Sequence, residues 1–156
     1  MEHALRYEIN KRSEEDPEFY KSLRERLEKI IAARRESRVA IAETLVELRK
    51  LIDDARNVRR AAERLGFDDE MQFAIYGILK AELAGGKNQD KLVKLAKYVV
   101  NELKPLCVID WVDKPTVQKK MRSTIKKLLR TVDCPAEQIE PVTLRLLDLA
   151  RVRLKR

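Results

Sequence analysis

Asp110 and Asp113 flank Trp111, the only tryptophan of the chain. Two carboxylates so close together could hold a divalent metal for phosphodiester hydrolysis, if further carboxylates and a lysine converged on them from other elements. Asp113 has another reading, because it stands where an N-cap is wanted and Pro115 follows in a first helical turn. Asp53–Asp54 and Asp68–Asp69–Glu70 are further tight acidic groups. The second is read as cap and first-turn residues, which favour the positive end of a helix. Metal chemistry of the zinc type has little to draw on. His3 is the single histidine, and Cys107 and Cys134 lie far apart in sequence. Gly66, Gly77, Gly85 and Gly86 form no Gly-Lys-Ser/Thr phosphate loop. The chain by itself is therefore expected to be non-catalytic, with no cofactor and no metal of its own.

The pattern that does stand out is cationic. Lys114 to Arg130 carries seven Lys or Arg and no Asp or Glu. Val117, Met121, Ile125, Leu128 and Val132 share one side of a helix at ~100° per residue. Lys119, Lys120, Arg122, Lys126, Lys127 and Arg130 fall on the opposite arc, and they are the candidate nucleic-acid-binding or partner-binding residues. The net charge of +8 has the same origin. Residues 1–113 hold 22 charges of each sign, so the whole excess lies in residues 114–156. A basic end points to a polyanion or an acidic protein surface, whereas evenly spread charge would speak only of solubility. A solvated face is the plainer alternative. With aromatics at 5%, stacking on single strands is not expected.

Helices must position that face. Charged residues make up 38% of the chain, well above the ~25% of an ordinary domain, and glycine and proline are scarce. The spacing predicts an all-α bundle of six to seven helices in one domain over residues 1–156. Asp16 and Pro17 start a helix bearing Tyr20, Leu23, Leu27, Ile30 and Ile31. Ile41, Leu45, Leu48, Ile52, Ala55, Val58, Ala62 and Leu65 read as the stripe of one long central helix, ended by Gly66. That stripe suits a bundle core, with coiled-coil dimerisation as the alternative. A further helix starts near Asp68, and Gly85–Gly86 are the candidate flexible joint. The next puts Leu92, Leu95, Ala96, Val99, Val100 and Leu103 on one side. "LCVIDWV" (106–112) reads as a short extended connector, with Trp111 as a core anchor whose indole N–H meets a carbonyl and with Ile109 and Val112 buried beside it. The basic helix and a last helix, with Pro135 and Pro141 near its start, complete the chain. No apolar run spans a bilayer and no signal peptide is visible, so a cytoplasmic protein is expected.

Several stretches resemble a known family. Asp16-Pro17, Phe19-Tyr20, Leu23 and Arg26-Leu27-Glu28 match an Asp-Pro-x-Phe-Tyr-x-x-Leu-x-x-Arg-Leu-Glu pattern. "RLGFDDEMQFAIYGIL" is similar to the family's Leu-Gly, acidic start and aromatic mid-helix. "VIDWVDKPTVQKKMRSTIKKLLR" resembles its Val-Asp-Trp, Val-Arg-x-Lys-Met-Arg and Lys-Arg-Leu-Leu-Arg series. The family is the C-terminal helical region of the restriction (motor) subunit of type I restriction enzymes, and the likeness runs over residues 1 to about 135. Two departures stand out. Gln118 takes a position where the family often has Arg, and Thr131-Val132-Asp133-Cys134-Pro135 replaces a Tyr-Gly-Tyr-Pro ending.

The resemblance implies a piece of a longer protein that cleaves DNA after ATP-driven translocation. ATP and Mg²⁺ would then belong to upstream helicase and nuclease domains. Here the implied role is assembly: docking the motor subunit on the methyltransferase (modification) subunit, close to duplex DNA and away from any membrane. A free-standing basic helical nucleic-acid-binding protein is the rival reading.

Overall fold

The computed structural model describes residues 1–35, 41–83 and 88–155. They form eight α-helices and no strand: α1 (Glu2–Arg12), α2 (Pro17–Arg35), α3 (Ile41–Arg56), α4 (Val58–Arg64), α5 (Glu70–Leu83), α6 (Gln89–Leu103), α7 (Pro115–Thr131) and α8 (Ala136–Arg153). The all-α expectation holds, with one helix more than anticipated. The Gly85–Gly86 joint lies outside the described residues.

The extra helix comes from a break in the expected long one. Asn57 leaves helical geometry at φ −117°, ψ 43°. Its side chain donates to the Asp53 carbonyl at 2.7 Å, and its N–H reaches back three residues to Asp54. Asparagine competes in this way with helical hydrogen bonds, so α3 and α4 are separate. The buried stripe also differs. Thr44, Leu48, Leu51 and Ala55 face inward, whereas Ile41 is 68% exposed and Leu45 39%. The packed face is rotated by about 50° from the one read off the heptads, at 3.6 residues per turn. The central helix is instead α5. It buries Met71, Ala74, Ile75, Ile78, Leu79 and Leu83 around most of its circumference, as a helix in the middle of a bundle must.

Two apolar clusters result. One joins α1, α2, α3 and the start of α4, and a larger one joins α5 to α8. Phe73 of α5 packs against both, and its ring meets Phe19 edge-on at 5.9 Å. Arg145 of α8 adds a polar tie, donating to Glu18 of α2 at 2.6 Å and also to Glu82 of α5. All six apolar residues anticipated on α6 are buried.

The Asp-Pro-x-Phe-Tyr motif has a structural explanation. Asp16 caps α2, its Oδ1 accepting the Phe19 N–H at 3.1 Å. Tyr20 is fully buried, and its hydroxyl donates to the Ala55 carbonyl, which also accepts from Arg12. The end of α3 thereby gains partners for a carbonyl that the helix leaves open. Asp16 is only 1% exposed, and its Oδ2 has no partner among the described residues. Burial pushes its carboxyl up to about 6, against the opposing pull of the Phe19 N–H and Arg153.

Since the folded pKa lies above the unfolded one, the folded state holds the extra proton between them. The associated stability is full below about pH 4 and is lost as pH rises through about 6. The lost amount is on the order of 2–3 kcal/mol, at 1.36 kcal/mol per unit. Asp16→Asn keeps the capping oxygen and removes the titration. Urea midpoints compared between pH 4 and 7 are expected to diverge, the wild type losing ground to Asp16→Asn as pH rises. Parallel curves would show the carboxyl to be solvated.

The connector before α7 is not extended. Lys104–Leu106 and Trp111–Asp113 are 3₁₀ turns, and Asp110 between them is left-handed at φ 56°. Trp111 is the expected anchor: it is fully buried and donates Nε1–H to the Leu154 carbonyl at 2.8 Å. Val112 packs partly against the core, but Ile109 is 72% exposed, at the tip of the turn. Its carbonyl accepts from Lys114 Nζ at 2.8 Å.

A cationic face on the seventh helix

Proline at the first position starts α7, and the N-cap is Lys114 rather than Asp113. No acid occupies the first turn. Met121, Ile125 and Leu129 are fully buried, while Val117, Leu128 and Val132 pack at the margin of the core. The inward face therefore centres on Leu129 rather than Leu128.

The helix closes in a Schellman motif. The Cys134 N–H bonds to Leu129 and the Asp133 N–H to Arg130, with Asp133 at φ 54°. Asp133 thus takes the left-handed position that glycine most often fills in such a turn. Aspartate is among the few residues that tolerate the left-handed region, so the turn is kept without a glycine.

The six candidate cations do not form one site. Lys119, Arg122, Lys126 and Arg130 stand in a row, bordering a shallow groove of about 630 Å³ together with Gln118 and Ser123. Lys120 and Lys127 lie about 80–100° round the helix, on the other flank. Lys119, Lys120, Lys127 and Arg130 are exposed; Arg122 and Lys126 are half-buried. Gln118 is held in place, donating to the Val112 carbonyl and accepting from Arg151 at 3.0 Å.

One acid interrupts the row. Glu140 of α8 pairs with Lys126, and the hydrogen bond and charge of Lys126, with Arg122 beside it, hold its carboxyl below the usual range. Among the described residues no ion pair reaches Lys119, Lys120, Arg122, Lys127 or Arg130, and Arg122 Nε is buried without a hydrogen-bond partner. Sequence reasoning missed Glu140 because it sits on another helix, and periodicity within one helix carries no register to the next.

The other chemistry-bearing groups are dispersed. Asp69, not Asp68, caps α5, accepting the Gln72 N–H at 3.0 Å and pairing with Lys104 at 2.7 Å. Asp54 pairs with Arg26 at 2.8 Å. Among the described residues no group of three His, Cys, Asp or Glu is placed to hold a metal ion. A groove of about 660 Å³ between the start of α5 and the end of α8 is lined by charges already paired there, Lys104 with Asp69 and Arg153 with Glu70. Cys107 and Cys134 are buried and form no disulfide. No described helix is long and apolar enough to cross a membrane.

Fold and face define a helical-bundle domain with a cationic flank. Residues 1–155 match the family described as type I restriction enzyme HindI endonuclease subunit-like, C-terminal. The chain belongs to that family, as its sequence motifs led one to expect. No curated protein and no solved structure matches it.

Proposed function

We propose that this domain is the assembly module of a type I restriction endonuclease subunit, the C-terminal part of a longer motor and nuclease chain. It docks the ATP-dependent translocase onto the methyltransferase subunit and lies against duplex DNA. ATP and Mg²⁺ act in the other domains, and this one contributes binding without catalysis. The observation that carries the reading is the row of cations on α7, one-signed along its own helix, in a family of endonuclease subunits. Exposed Lys and Arg gain most from a polyanion, because neutralised phosphates release their counterions.

The test mixes the domain with the methyltransferase subunit, with duplex DNA and with the two together, in size-exclusion chromatography and titration calorimetry. A stable complex with the methyltransferase subunit is expected. Duplex alone is expected to bind weakly and without sequence preference, at about 10⁻⁴–10⁻⁶ M near physiological salt. A domain that binds neither partner, alone or together, would overturn the assembly role.

A further inference from the structure

We infer that Glu140 is a built-in place-holder for a nucleic-acid phosphate, occupying the middle of the α7 cationic row until a duplex backbone displaces it. This rests on the reading of α7 as a face for duplex DNA and says what holds the phosphate's place when no duplex is bound.

The choice of phosphate over an acidic protein comes from the surroundings of the row. Lys119, Arg122, Lys126 and Arg130 extend along about 16 Å of helix, at ~1.5 Å per residue. Between them lie Gln118 and the Ser123 hydroxyl, with Pro115 as the one apolar group along the groove. A protein interface takes its affinity from buried aromatic or aliphatic anchors in a charge-depleted centre, which this row does not offer. Phosphate backbones are held by Lys, Arg and hydroxyl groups of this kind, spaced along an exposed surface.

Glu140 supplies the second part. It projects from α8 onto Lys126, with Arg122 near enough to stabilise its charge. Arg122 lines the same groove, and its Nε has no hydrogen-bond partner among the described residues. A carboxylate on these cations resembles one phosphate oxygen pair in charge and in acceptor geometry. Lys126 is half-buried but Glu140 is open to solvent, so the pair is screened on that side and a phosphate can displace the carboxylate at small cost. The consequence is a face with a lowered affinity for DNA, suited to a subunit whose contact with the duplex must be released and remade.

Duplex binding is measured by fluorescence anisotropy over a salt series, with a short random-sequence duplex as the probe. Glu140→Gln is expected to tighten binding about twofold to fivefold, the range of a solvent-screened ion pair, and to steepen the log–log salt slope by about 0.9, one further phosphate. Glu25→Gln changes net charge equally at an exposed position on α2, a helix of the other apolar cluster, and is expected to leave the slope unchanged. In a Lys126→Gln background the gain from Glu140→Gln should vanish. An equal gain in both backgrounds, or no gain while wild type binds, would overturn the place-holder. Tightening on the methyltransferase subunit and not on the duplex would assign the face to an acidic protein instead. If neither wild type nor Glu140→Gln binds duplex at low salt, the underlying polyanion reading falls, and the place-holder with it.

Discussion

Trp111→Ala is expected to cost about 3–5 kcal/mol, the usual loss for truncating a buried aromatic. A domain has about 5–15 kcal/mol in total, so the variant would fold marginally or not at all. Two losses combine. The indole fills the larger apolar cluster, joining the turn before α7 to the end of α8. Its Nε1–H also serves the Leu154 carbonyl, one of the groups that α8 leaves open at its C-terminus. Trp111→Phe separates the two, keeping most of the bulk and losing the hydrogen bond, at about 1 kcal/mol beyond the change in volume. Urea midpoints should fall in the order wild type, Trp111→Phe, Trp111→Ala, and amide exchange at Arg151 to Leu154 should quicken in both variants. A midpoint that barely moves in Trp111→Ala would mean the side chain does not carry the packing assigned to it.

The same region shows what the sequence could and could not convey. Trp111 was legible as an anchor because a lone tryptophan in an apolar run has few other places to go. Its neighbour Ile109 was not, since composition places a β-branched residue inside while the 3₁₀ turns and the left-handed Asp110 put it at an exposed tip. Periodicity located α6 residue for residue. It failed on α3, where Leu48 and Ala55 belong to both the read stripe and the packed one, and only tertiary contact chooses between Leu51 and Ile52. The break at Asn57 depends on a side-chain bond to Asp53, and nothing in the apolar pattern marks it. At the candidate face the cations were legible as a group because acids are missing from seventeen consecutive residues. Their division into a row of four and a flank of two follows from helix geometry, and Glu140 enters only through the packing of α8 on α7.

That division supports the last expectation, a comparison of two double charge reversals with identical net charge. Lys119→Glu/Arg130→Glu alters the two ends of the row and leaves the Lys126–Glu140 pair intact. Lys120→Glu/Lys127→Glu alters the flank. All four side chains are exposed, and such changes usually move stability by no more than about 0.5 kcal/mol, so melting curves should stay close to wild type. If the row is the surface that meets the phosphate backbone, its reversal should weaken duplex binding at least about tenfold and flatten the salt slope by nearly 0.9 for each lost phosphate. The flank pair acts only through the longer-range field, which a Debye length of about 8 Å largely screens at physiological salt. Its reversal should therefore weaken binding less and leave the slope nearly unchanged. Equal losses from both would mean that the helix works as an undivided positive rod. Loss on the methyltransferase subunit with duplex binding intact would make the row a docking surface, and wild-type behaviour of both doubles on both partners would mean that the face is only solvated.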